Sequence, residues 1–136
     1  MENLQKEYGL YINGKWQPAS DGATFKTYSP ATGEELAVCA EATREDVDAA
    51  VKAAHAAWES WKNTTPVERA VILNKIADII DANAQHLAEV ESLDNGKPIR
   101  ETSMIDIPMS ADHFCYFAAA IRTEEGTATM LDNNTL

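Results

Sequence analysis

A mixed domain, four short strands followed by three helices, is what this sequence predicts, an α+β layout with strands first. Three observations carry the reading. An Asn13-Gly14 pair stands between β-favouring residues, apolar residues recur at steps of four and three from Val47 to Trp61, and a Thr-Pro-Val-Glu box at Thr65–Glu68 opens a second apolar-periodic run.

The elements come in order. Leu10-Tyr11-Ile12 and Lys15-Trp16 flank Asn13-Gly14, and such a pair suits a type I′ hairpin turn, which needs positive φ at both central positions. Thr24–Tyr28 reads as a strand that ends in the turn Ser29-Pro30-Ala31-Thr32-Gly33. A further strand runs from about Glu35 to Ala40, with Leu36, Val38 and Ala40 on one face.

Helical periodicity then takes over. Thr43 is an N-cap, with Glu45 and Asp46 in the first turn, where the helix dipole favours acids. Val47, Val51, Ala54, Trp58 and Trp61 fall on one face of a helix from about Arg44 to Trp61. Thr65 caps the next helix, Pro66 suits its first position and Glu68 completes a capping box. Its buried stripe is Leu73, Ile76, Ala77, Ile80, Ala84 and Leu87, and it is expected to run unbroken to about Leu93, roughly 28 residues and 42 Å. Asn95-Gly96 stops it, with Pro98 behind. A third helix is read from about Ile107 to Glu125, after a one-turn start near Ile99–Ser103. Ile107, Ala111, Phe114, Ala118 and Ile121 share a face, and Gly126 ends the helix. The tail 127–136 is short and polar. Two long helices with wide apolar faces need more cover than two small hairpins offer.

The chain has 136 residues, 45% apolar and 24% charged, with a net charge of −11. That is one globular domain with an acidic surface, which a phosphate backbone repels, so nucleic-acid binding is excluded as a main role. Cys39 and Cys115 are too few for a disulfide scaffold and lack CxxC spacing. The polar start and the lack of a long apolar run predict a soluble, cytoplasmic protein with no membrane partner.

Chemistry-bearing patterns are sparse. His113 and Cys115 sit two apart, so on a helix their side chains diverge, and Cys115 is expected to pack as a small hydrophobe, as is Cys39 in its strand. His55 and His86 fall on solvated helix faces, and the three histidines are too scattered to ligate a metal. Trp58 and Trp61 fit a core stripe. No GxGxxG, GxxxxGK[ST] or GxSxG occurs. From the residues alone the chain is catalytically empty.

Three blocks then carry a resemblance: Leu10-Tyr-Ile-Asn-Gly-Lys-Trp16, Tyr28-Ser-Pro-Ala-Thr-Gly-Glu34 and Leu93-Asp-Asn-Gly-Lys-Pro98. With Glu45–Ala54, Trp58, Arg69, Leu73–Asp78 and Asp112–Ala118 between and after them, the chain resembles the opening part of the aldehyde dehydrogenase superfamily over about residues 8–136. The run from Leu93 to Thr102 is similar to a bacterial branch acting on acetaldehyde and other short aldehydes; Cys115, where Arg is common before the Tyr-Phe pair, departs from the pattern.

The resemblance implies an α/β fold, with this chain as the outer part of a Rossmann-like NAD-binding domain: hairpins over 8–42, helices over 43–126 and the tail over 127–136. It implies an NAD- or NADP-dependent enzyme that oxidises an aldehyde to a carboxylic acid through a Cys thioester, a homo-oligomer when complete. The family's nucleophilic Cys, Glu base, Asn segment, cofactor-binding Lys and Gly-rich turn would all lie beyond Leu136. No catalytic or cofactor-binding residue is therefore assigned here, and the chain alone is expected to be inactive and to bind no cofactor. Backbone oxygens of Thr27 and Tyr28, with Asp94, match the family's monovalent-cation ligands, for Na+ or K+. Met109 matches a position lining the aldehyde entrance tunnel. The alternative reading is a self-contained acidic helical module that acts as a partner or regulator.

Overall fold

A computed structural model describes residues 4–126 and 128–129; the expected tail lies largely outside them. Among the described residues five strands precede the helices: β1 Glu7–Tyr8, β2 Leu10–Ile12, β3 Lys15–Gln17, β4 Thr24–Tyr28 and β5 Glu35–Ala40. β2 and β3 form the expected hairpin, with Asn13 at φ 51° and Gly14 at φ 75°, the two positive values a type I′ turn requires. β4 and β5 pair antiparallel around the Ser29–Gly33 turn, where the Gly33 N–H donates to the Ser29 carbonyl at 2.8 Å. The fifth strand, β1, is unanticipated. It is two residues long and pairs parallel with β5, Glu7 opposite Val38 and Tyr8 opposite Cys39, which gives a sheet of order β1-β5-β4. Its only signal is that distant partner.

The expected common face of Leu36, Val38 and Ala40 does not form. Thr27 pairs with Ala37 and Tyr28 with Glu35, so Leu36 is the extra residue of a bulge. A bulge re-aims the side chain it inserts. Leu36 joins Ala37 and Cys39 on one side of β5, while Val38 and Ala40 line the other.

Helix α1, Arg44–Trp61, starts at Thr43 with a full capping box. The carboxylate of Asp46 accepts from the Thr43 N–H at 2.9 Å and from the Ser20 N–H at 3.1 Å, and is buried. Those two N–H groups hold its carboxyl below the usual range for an aspartate. Thr65 and Glu68 repeat the device at the head of α2, Pro66–Ala82, where the Thr65 N–H lowers Glu68 in the same way.

The single helix expected to run on to Leu93 is broken. α2 ends at Ala82 and α3 runs over Ala84–Asn95. Asn83 between them adopts φ −114°, ψ 15°, and its side-chain amide donates to the Ile79 carbonyl at 2.7 Å, satisfying locally what the helix would have used. Gly96 at φ 76° closes α3. Next come α4, Ile99–Glu101, a π-helical turn over Thr102–Asp106, and α5, Ile107–Ala120. α5 stops five residues short of the expected Glu125. The Thr123 side chain and N–H both bond the Ala120 carbonyl, which tightens the last turn.

The core is made of small side chains. α5 packs on α2 with Ala111, Ala118 and Ile107 buried, and with Ala70 and Ala77 buried on α2. α1 turns Ala50, Ala53 and Ala57 towards the β2–β3 hairpin, while Val51 and Trp58 are half exposed. The expected burial of Trp58 and Trp61 is thus not met by this chain's own residues. Its accessible surface is 10463 Å² at a mass of 14.9 kDa; a compact monomer of that mass exposes about 7,000 Å².

Candidate functional site

A cavity of about 430 Å³ lies between the three-stranded sheet and α3. Its walls are apolar, from Leu36, Leu87, Val90 and Ile107, with Glu91, Asp94 and Thr27 as polar members. β4 supplies Thr27 and the last turn of α3 supplies Asp94, so two of the three expected cation ligands reach one cavity from opposite elements. Tyr28 is next to Thr27 in β4, with its side chain largely exposed. Only its backbone is expected to take part. The donors offered are hard oxygens, which suit an alkali ion. Among the described residues, no three His, Cys, Asp or Glu side chains converge as a metal site.

The corner that carries Asp94 is held on both sides, and sequence reasoning did not find how. On the sheet side, Gly96 packs against the Ser29–Gly33 turn, and a Cβ there would meet Pro30 Cγ at 2.9 Å. On the helix side, Lys97 pairs with Asp106 at the end of the π turn. That hydrogen bond, with the charges of Asp106, Glu91 and Glu101, holds the Lys97 ammonium above its ordinary range against some loss of hydration. Beneath them Thr102 is wholly buried. Its hydroxyl lies 2.8 Å from Ser92 Oγ and 3.1 Å from each of the Ala88 and Ile99 carbonyl oxygens. A charged pair nine residues apart and a π turn leave no periodicity to read. The only hint is Pro108, which has no N–H to continue the ladder.

Met109 is not on this cavity. It sits in the first turn of α5, 49% exposed, on the side away from Ala111 and Ala118. His55, His86 and His113 are exposed, as expected for the first two. Cys39 is half-buried in β5, but Cys115 is exposed rather than packed, because α5 turns Ala111, Phe114 and Ala118 inward on either side of it.

No helix among the described residues is long and apolar enough to cross a membrane. The heads of α1 and α2, the places where backbone N–H groups would receive a phosphate, are closed by the carboxylates of Asp46 and Glu68. Gly14, Gly22, Gly33 and Gly96 take positive φ singly, at separate turns and a helix cap.

A sheet and helices of this order, with a capped corner closing on the sheet turn, place the chain among α/β proteins, and comparison with known proteins gives the family. The chain belongs to the aldehyde dehydrogenase family, whose profile matches residues 16–136. It is 50% identical over 133 residues to an aldehyde dehydrogenase of Rhodospirillum rubrum, covering 98% of this chain and 26% of that protein. It is 46% identical over 132 residues to acetaldehyde dehydrogenase 2 of Cupriavidus necator, covering 97% of this chain and 26% of the relative. The NAD+ complex of an aldehyde dehydrogenase from Bacillus cereus superposes with a TM-score of 0.91 at 41% identity, over 96% of this chain and 27% of that one. The chain spans about a quarter of the length of the curated relatives it matches.

Proposed function

We propose that this chain is the N-terminal, outer part of the NAD-binding domain of an aldehyde dehydrogenase, with hairpins over 8–42 and helices over 43–126 packed on a Rossmann-type sheet supplied by other residues. The observation that carries the reading is identity near one half, sustained across almost the whole chain, to one quarter of proteins named for that activity. The half-exposed Val51 and Trp58 support it, since they ask for cover from outside the chain. The same exposure argues against a self-contained regulatory module.

The activity is oxidation of an aldehyde to a carboxylic acid through a Cys thioester, in a soluble cytoplasmic homo-oligomer. NAD or NADP, when bound, accepts the hydride. The role of this chain is structural and steering. Thr27 and Tyr28 carbonyls with Asp94 hold Na+ or K+ at the joint between sheet and α3, and Met109 lines the aldehyde entrance. Alone the chain holds no cofactor and turns over no aldehyde.

A chimera tests this, with the chain in place of the matching quarter of the R. rubrum relative. The chimera is expected to produce NADH from acetaldehyde and the isolated chain none. NADH formation by the isolated chain, or a folded, NAD-binding chimera without turnover, overturns the proposal.

A further inference from the structure

The helix that begins at Ile99 does not keep one phase. Over Thr102–Asp106 it widens to a π turn, with the Ile107 N–H bonding the Thr102 carbonyl, before α5 resumes. An α-helical residue advances roughly 100°, so one extra residue in a turn rotates the rest of the helix by about that angle. The rotation sets which side of α5 meets α2. It puts Ile107, Ala111 and Ala118 inward and leaves Met109 half exposed on the other side.

Two contacts hold the wide turn. Thr102 anchors its start by the buried hydroxyl. Its end is held from outside the helix by Lys97, whose Nζ donates to the Asp106 carboxylate, both side chains being partly buried. The backbone of Lys97 is itself fixed. It comes directly after Gly96, wedged against Pro30, and its N–H donates to Asn95 Oδ1 at 2.8 Å. Asp106 precedes Met109 by less than one turn, and the Ser110 hydroxyl bonds the Asp106 carbonyl at 2.8 Å.

We propose that Lys97 and Asp106 are positioning residues for the aldehyde: their ion pair fixes the π turn, and the π turn fixes the direction in which Met109 is presented. Neither touches the reacting atoms. The inference rests on the reading of Met109 as an entrance residue, and the test separates the two.

In the chimera, kcat/KM is measured for acetaldehyde and for hexanal with Met109→Ala, Lys97→Met, Asp106→Asn, the Lys97→Met/Asp106→Asn double variant and Lys97→Arg. The ratio between the two aldehydes does not depend on how much enzyme is folded. Met109→Ala is expected to shift the ratio, and Lys97→Met and Asp106→Asn to shift it by about threefold or more, chiefly through KM. The double variant should shift it no further than either single, and Lys97→Arg should restore it. If Met109→Ala shifts the ratio and the pair variants do not, the positioning role is overturned and the entrance reading stands. If Met109→Ala leaves the ratio unchanged, both fall. Should Lys97→Met fail to fold, Asp106→Asn, which removes the charge from the other partner, reads the same ratio and decides in the same way.

Discussion

Gly96 and Pro30 meet so closely that a Cβ on Gly96 would lie 2.9 Å from Pro30 Cγ. Gly33, in the turn that carries Pro30, has a similar positive φ of 74° but open space around it. The pair separates two effects. Gly33→Ala should cost about 1–2 kcal/mol, the penalty of a left-handed conformation. Gly96→Ala should cost more, because the α3 corner must also move off the turn. Thermal melts of the two variants in the chimera check this. Equal losses would mean that Pro30 gives way and that this contact does not fix the corner.

The capping boxes predict an acid-sensitive fold. Asp46 and Glu68 both have folded-state pKa values lowered by backbone N–H groups, those of Thr43 and Ser20 for the first and of Thr65 for the second. A depressed carboxylate contributes stability that is complete above its ordinary pKa near about 4 and is lost as pH falls through the lower folded value. Stability should therefore drop below about pH 4. Asp46→Asn and Glu68→Gln should lower stability at neutral pH and flatten that acid limb. Urea midpoints from pH 7 down to pH 3 measure it; a variant with an unchanged acid limb would remove its carboxylate from the account.

The Thr65–Glu68 box and the Thr43 cap were legible in the sequence because their atoms lie within four residues, and the same holds for Asn13-Gly14; the reach of Asp46 back to the Thr43 N–H and across to Ser20, 26 residues away, was not read. What was not legible depends on distance. β1 exists only because β5 lies beside it, and the Leu36 bulge results from the register with β4. Asn83 looks like any helical Asn until its amide is seen on the Ile79 carbonyl. Of the site, Asp94 and Thr27 came from resemblance to a family, not from spacing. The Lys97–Asp106 pair that braces them was missed because a π turn has no repeat.

Thr102 supplies a third prediction. Its hydroxyl carries one proton and has three neighbours, so it donates to the Ala88 or Ile99 carbonyl and accepts from Ser92. Thr102→Val keeps the shape but takes a buried hydrogen-bond partner from Ser92 and from the Ala88 and Ile99 carbonyls, a loss of about 1–3 kcal/mol. Ser92→Ala removes only the donor to Thr102 and should cost less. The double variant should lose less than the two singles together, since they share one network. Additive losses in the chimera's melts would show that the hydroxyls act independently.

Trp58 and Trp61 give the sharpest test of what the helices are for. They lie on one face of α1 with Val47 and Val51, at 52% and 40% exposure, while the alanine face of the same helix meets the hairpin. Trp61 is partly covered by Arg69, whose guanidinium carbon sits 5.4 Å from the ring centroid. A helix with a small-residue face turned inward and a Val/Trp face turned outward is built to be covered on both sides. In the isolated chain both indoles should be open to acrylamide quenching, Trp58 more than Trp61. In the chimera both should be protected and their emission shifted to the blue. Trp58→Phe and Trp61→Phe in both proteins give the share of each indole by difference, apart from Trp16, itself 67% exposed, and from any indole elsewhere in the chimera. Equal quenching in chain and chimera would mean that this face of α1 meets water in the chimera too, and the large exposed surface would then need another explanation.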